Sequence, residues 1–171
     1  MVHLYTGNGQ GKTSAAAGMA IRALGHGQSV LYVQFMKDGT SGEYLGLQQL
    51  AGISCMHSPA LDGFTYAMAP DELHRAHEAF GAFARSLSIH LSEHRYDLVI
   101  LDELETATSL ELLDAETALQ LLNAASCKAE TIVTGHGKSK WIVDACDYIT
   151  EMVSVRHPYD TGITARPGVE Y

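Results

Sequence analysis

The segment from Tyr5 to Ser14 reads Tyr-Thr-Gly-Asn-Gly-Gln-Gly-Lys-Thr-Ser. Glycine at alternate positions (Gly7, Gly9, Gly11) lets a backbone turn back on itself and aim its N–H groups into one concave surface. Such a nest of amides holds phosphate, and a helix opening behind it adds the positive end of its dipole. Lys12 supplies a point charge for phosphate oxygens, and the Thr13 hydroxyl is of the kind that ligates Mg²⁺. The expected ligand is the phosphate chain of an ATP-like nucleotide, gripped by Gly7, Asn8, Gly9, Gln10, Gly11, Lys12, Thr13 and Ser14. The general phosphate-loop pattern wants a further glycine where this chain has Thr6.

A second candidate lies at Asp102-Glu103, directly after the apolar run Leu98 to Leu101. Carboxylates at the C-terminal end of a buried strand sit where open α/β sheets bind ligands. The pair reads as the acidic partner of the phosphate loop, holding Mg²⁺ directly or through water, and spacing does not decide between Asp102 and Glu103. Two chemistries diverge from here. In one, Glu103 acts as a base in phosphoryl transfer or hydrolysis, as in an ATPase or small-molecule kinase. In the other, the loop stabilises a whole triphosphate as leaving group while a nucleophile attacks elsewhere. A binding module without turnover is the third reading.

These residues need elements to carry them. Short apolar runs alternate with longer helical patterns, which predicts βαβ units, a parallel sheet of five or six strands flanked by helices, and a single nucleotide-binding domain over residues 1–171. Strands are expected at Val2 to Tyr5, Ser29 to Phe35, Ile53 to His57, Asp97 to Leu101, Thr131 to Thr134 and Tyr148 to Val155. Helices are expected at Thr13 to Leu24, closed by Gly25 and Gly27, at Pro70 to His94 with Pro70 in its first turn, at Leu112 to Ala125 and at Lys140 to Ala145. His157 to Tyr171 reads as an ordered loop or arm.

Composition narrows the function classes. Of 171 residues 46% are hydrophobic and 18% charged, which is soluble and globular rather than disordered. The net charge of −9 and the lack of any Lys/Arg run argue against nucleic acid. No apolar run is long enough for a bilayer and no signal peptide is evident, so the expectation is a cytoplasmic protein without a membrane partner. Cys55, Cys127 and Cys146 are odd in number and in no metal-binding spacing, and read as small buried side chains in a reducing compartment. His74 with His77 and His90 with His94 form pairs at i,i+3 and i,i+4 that each lie on one helix face, but with Arg75, Arg85 and Arg95 nearby they read as a solvated surface rather than as a metal site. His157 reads as a local hydrogen-bonding residue, and Glu43 as a loop residue able to face the site.

The phosphate-loop run, with Arg22 to Gly27, resembles the opening of the P-loop ATP:corrinoid adenosyltransferases. So do Val33 to Lys37, Gly42-Glu43, Gly63 to Tyr66, Leu101 to Leu104, Val133 to Gly135, Thr150 to Met152, Arg156 to Ile163 and Gly168 to Tyr171. The resemblance spans the chain in order, and a loop lacking the outer glycine is itself a trait of that family. It implies a RecA-like fold and transfer of the 5′-deoxyadenosyl group of ATP to Co(I) of a reduced corrinoid, with release of triphosphate. By the same resemblance Lys12, Thr13 and Glu103 are the catalytic set, Thr13 and Glu103 serve Mg²⁺, and Arg22 helps hold ATP. Phe64 and Tyr66 match a Phe-x-Trp pair that presses on the corrinoid and displaces its lower axial ligand. A homodimer and a reduced flavoprotein as electron donor are implied too. The chain departs from the family at Gln10, where Lys is common, at His136, where Arg is common, and at Tyr66, where Trp is usual. It starts at its first strand, without the N-terminal helical extension of some members.

Overall fold

The structure, a computed structural model, describes all residues except Asp62, Phe64, Glu170 and Tyr171. In chain order it runs β1 (Val2–Thr6), α1 (Lys12–Gly25), β2 (Val30–Gln34), α2 (Gly42–Leu47), β3 (Ile53–His57), α3 (Pro70–Glu93), β4 (Leu98–Asp102), α4 (Leu104–Ser109), α5 (Ala115–Ser126), β5 (Glu130–Thr134), α6 (Lys140–Val143) and β6 (Tyr148–Glu151). Short 3-10 turns occupy Thr65–Ala67 and Pro158–Thr161. The strands form one six-stranded sheet in the order β3-β2-β4-β5-β1-β6, with every pairing parallel. This is the expected RecA-like α/β arrangement. β5 separates β1, which leads into the phosphate loop, from β4, which ends on Asp102.

β2 and β4 are buried along their whole length, which is why they read as unbroken apolar runs. Their period-two alternation serves two cores. Val30, Tyr32, Leu98 and Ile100 pack with Ala16, Ala17, Ala20 and Ala23 of α1. Leu31, Val33, Val99 and Leu101 face the opposite way, against Phe80, Ala84 and Leu87 of α3 and Leu121 and Leu122 of α5. Among the described residues no helix is long and apolar enough to cross a membrane.

Several boundaries differ from expectation for identifiable reasons. Leu112 and Leu113 are buried but lie ahead of α5, because the Asp114 carboxylate accepts the Thr117 N–H at 2.7 Å and starts the helix there. β6 ends at Glu151 rather than Val155, since the Met152 carbonyl leaves the sheet to accept the Gly9 N–H at 2.8 Å. β4 extends through Asp102, which is therefore a strand residue. The six-residue helices α2 and α4 have no counterpart in the sequence reading. Cys127 is exposed rather than buried; Cys55 and Cys146 are half-buried, and burial pushes each of those two thiols up to about 11.

Phe80 is fully buried with its ring 6.5 Å from that of Phe35. Phe80→Ala removes that packing and is expected to cost about 3–5 kcal/mol of unfolding free energy. Urea titration measures this as a lowered midpoint with an unchanged slope.

Candidate functional site

The phosphate loop is shaped by two left-handed glycines and by a brace from the far end of the chain. Gly7 and Gly11 both have φ of 104°, a conformation other L-residues rarely adopt, and Gly11 caps α1. A Cβ on Gly7 would run into the Met152 carbonyl, and one on Gly9 would come within 2.8 Å of the Met152 backbone. The glycines thus serve close approach as well as curvature. Asn8 adds a clasp, its side-chain oxygen accepting the Ser154 N–H at 3.0 Å. Lys12 is buried, and its ammonium donates to the carbonyls of Gly7 and Gly9, each at 2.9 Å. Burial lowers the Lys12 pKa, while the Glu103 and Asp102 carboxylates pull it back up. Gln10 and Ser14 are exposed at the mouth of the loop and on the first turn of α1.

Behind the loop stands Asp102, fully buried at the end of β4. Its Oδ1 accepts the hydroxyls of Thr13 and Thr134, each at 2.8 Å. Its Oδ2 accepts from the Lys37 ammonium at 3.2 Å and the Tyr32 hydroxyl at 3.3 Å. A buried carboxylate is tolerable only with such a donor set. Because Thr13 gives its proton to Asp102, its oxygen lone pairs are left to face the loop, where a hard cation could use them. Among the described residues no group of three or more His, Cys, Asp or Glu forms a metal site by itself. The donor set therefore fits an ion that takes a hydroxyl and phosphate oxygens rather than a protein cage. The four helix histidines are engaged locally: His77 with the Glu111 carbonyl, His74 with Glu78, and His90 stacked on His94 at 4.1 Å.

Glu103 turns the chain from β4 into α4 with φ of 63°. Its N–H donates to the Thr134 hydroxyl at 2.8 Å, and its carboxylate accepts the Thr106 hydroxyl at 2.5 Å. Met36, just beyond β2, is also left-handed, with φ of 62°. Two of the strained non-glycine residues therefore follow the strands that end at the site, where such strain concentrates.

Lys12, Thr13, Asp102 and Glu103 are thus brought together, and the direct partner of Thr13 is Asp102. Arg22 is not brought to the loop. It lies ten residues along α1 from Lys12, roughly 15 Å at the helical rise, exposed and touching Met19. There it lines a cavity of about 300 Å³ with Asp97, Leu98 and Glu130, at the opposite rim of the sheet. Phe64 lies outside the described residues, and Tyr66 is 84% exposed. His136 is exposed beyond β5, and His157 accepts the Tyr159 N–H within its own turn.

Sequence reasoning missed Lys37, Gln34, Tyr32 and Thr134. Lys37 bridges Asp102 and the Glu43 carboxylate, the latter at 2.9 Å, and Gln34 donates to Glu43 at 2.9 Å. A polar residue closing an apolar run, after Val30 to Val33 in β2 and after Ile132-Val133 in β5, is the signal that could have found Gln34 and Thr134. Burial would lower the Lys37 pKa, but Asp102 and Glu43 outweigh it and raise it. Burial would raise the Glu43 carboxyl, but Lys37, with help from Glu43's own backbone N–H and from Ser41, holds it below the ordinary 4.5. A depressed carboxyl contributes stability that is present above its unfolded pKa and lost as pH falls through the folded one. Glu43→Gln should therefore flatten the acid limb below pH 4.5, its unfolding midpoint in urea falling less steeply than that of the unsubstituted protein.

A model of the family described as ATP:corrinoid adenosyltransferase BtuR/CobO/CobP matches residues 1–171. The corrinoid adenosyltransferase CobA of Salmonella typhimurium is 33% identical over 171 residues, covering 100% of this chain and 85% of that protein. The corrinoid adenosyltransferase of Escherichia coli K12 is 33% identical over 175 residues, again covering 100% and 85%. That of Pseudomonas aeruginosa is 34% identical over 169 residues, covering 98% and 82%.

Proposed function

The chain belongs to the ATP:corrinoid adenosyltransferase family, and on that premise we propose that it moves the 5′-deoxyadenosyl group of ATP onto the Co(I) of a reduced corrinoid. In this reaction the cobalt electron pair attacks C5′ of the ribose, the Co–C bond forms, and the C5′–O bond breaks. The pair from that bond leaves on the triphosphate oxygen. Charge develops on the departing triphosphate, so the protein's task is to meet it with fixed positive dipoles. The observation that carries this reading is the seat of Thr13 and Lys12, at the mouth of α1 and against the buried Asp102.

The loop amides from Gly7 to Thr13 and the Lys12 ammonium bind the triphosphate. Lys12 exchanges the Gly7 and Gly9 carbonyls for phosphate oxygens, which are better partners for a partly desolvated ammonium. Thr13 is the residue that would hold Mg²⁺ directly, oriented by Asp102, and Glu103 would serve the same ion. Mg²⁺ there supplies further neutralisation of the leaving phosphates. Lys37 keeps Asp102 compensated. Arg22, at the opposite rim of the sheet from the loop, is left out of the phosphate-binding set. Phe64 and Tyr66 pack on the corrinoid, and the exposure of Tyr66 suits a ring that meets a large partner. A reduced flavoprotein as electron donor, a homodimer and a cytoplasmic setting complete the proposal.

Product analysis tests it. With ATP, Mg²⁺ and chemically reduced corrinoid, the expected products are intact triphosphate and a light-sensitive alkylcobalt species. ADP and orthophosphate formed without corrinoid would overturn the reading in favour of an ATPase. Lys12→Ala is expected to lower turnover by roughly 10²-fold or more, the scale for losing a preorganised donor to a developing anion. Near-normal turnover in that variant would remove the loop from the mechanism.

A further inference from the structure

Glu105, in the first turn of α4, is a fully buried acid outside the catalytic set. Its Oε2 accepts the Gly137 N–H at 2.7 Å, and its Oε1 accepts the hydroxyls of Ser139 and Ser109, each at 2.8 Å. Two of these three donors belong to the segment between β5 and α6. That segment fits the acid closely: the three nearest atoms to a Cβ on Gly137 would all belong to the Glu105 carboxylate group, and a Cβ on Gly135 would lie 2.5 Å from the Glu105 Cβ. The neighbouring Thr106 hydroxyl accepts the His136 N–H at 3.1 Å, so α4 holds the segment at successive residues.

The segment in turn touches the stem of the phosphate loop. The Gly137 carbonyl accepts the Thr6 hydroxyl at 2.5 Å, and the Gly135 N–H donates to the Tyr5 carbonyl at 3.1 Å. Thr6 stands where the general loop pattern has glycine, and here its hydroxyl is used. The result is one continuous relay in which Glu105 holds Gly137 by its N–H, and the carbonyl of the same residue, one peptide further on, holds Thr6 immediately ahead of Gly7. We infer that Glu105 is a positioning residue for triphosphate binding, acting through Gly137 and Thr6 on the phosphate loop without touching the ligand. The inference rests on the adenosyltransferase reading for the ligand's identity.

The test uses the full chain and inorganic triphosphate, titrated calorimetrically without corrinoid, alongside KM values for ATP and corrinoid. Glu105→Ala is expected to weaken triphosphate binding and raise KM for ATP roughly ten-fold, the scale of a lost hydrogen bond to a charged group. KM for corrinoid should not move. Glu105→Gln should restore binding to within about two-fold, because its carbonyl oxygen can take the Gly137 N–H and its amide can donate to the serine hydroxyls. Gly137→Ala should reproduce the Glu105→Ala defect by wedging the same contact. Combined with Glu105→Ala it should add little, since the obstructing carboxylate is gone. Wild-type triphosphate affinity in a folded Glu105→Ala protein overturns the inference, as does a Glu105→Gln protein impaired as severely as Glu105→Ala, or a parallel rise in both KM values. Should Glu105→Ala not fold, Gly137→Ala decides alone: a selective loss of triphosphate supports the relay and unchanged affinity refutes it. A wild-type protein that binds triphosphate but makes no Co–C bond defeats the functional reading, and the variants' affinities still score the relay.

Discussion

The structure turns on one buried carboxylate. Asp102 ends the fully enclosed strand β4 and would be costly there without partners. Its partners come from α1 (Thr13), β5 (Thr134), β2 (Tyr32) and the segment beyond β2 (Lys37). Satisfying this single charge therefore fixes where α1 begins relative to three strands. The phosphate loop is the chain that must connect β1 to that fixed helix start. Its shape follows from the need to keep Asp102 solvated by protein, and the same hydrogen bond that satisfies the acid sets the orientation of the Thr13 oxygen.

Strand order makes this possible. Because β5 lies between β1 and β4, the loop after β1 must pass over the end of β5 to reach Asp102. Thr134 sits at that crossing. Its hydroxyl donates to Asp102 and accepts from the Glu103 N–H, so one side chain serves both acidic residues. The left-handed backbone at Glu103 then swings α4 away from the strand and carries Glu105 beneath the segment after β5.

Much of this was readable from local patterns. The loop glycines, Lys12 and Thr13 declare themselves because their chemistry requires contiguous residues, and the buried strands declare themselves as apolar runs. α3 starts at Pro70 as expected, because proline suits the first turn of a helix, and β3 occupies the expected Ile53–His57. What stayed hidden was convergence at a distance. The phosphate loop and Asp102-Glu103 could be paired because each carries its own signal, but Asn8 and Ser154 are 146 residues apart, Thr6 and Gly137 are 131 apart, and no spacing rule relates them. The helices α2 and α4 are too short for a period to register. Leu112 and Leu113 mimic the start of a helix because burial, not helicity, is what their side chains report.

β6 is exposed along its full length and pairs only with β1, yet the residues following it supply the Met152 carbonyl and the Ser154 N–H that clasp the phosphate loop. Peripheral strands with little apolar cover open at a lower free energy than the buried interior. The curvature of the glycine-rich loop is thus tied to an exposed edge of the sheet. Mild heating or dilute denaturant would loosen this glycine-rich turn while the central strands remained intact, so on the proposed function loss of ligand affinity would precede loss of fold.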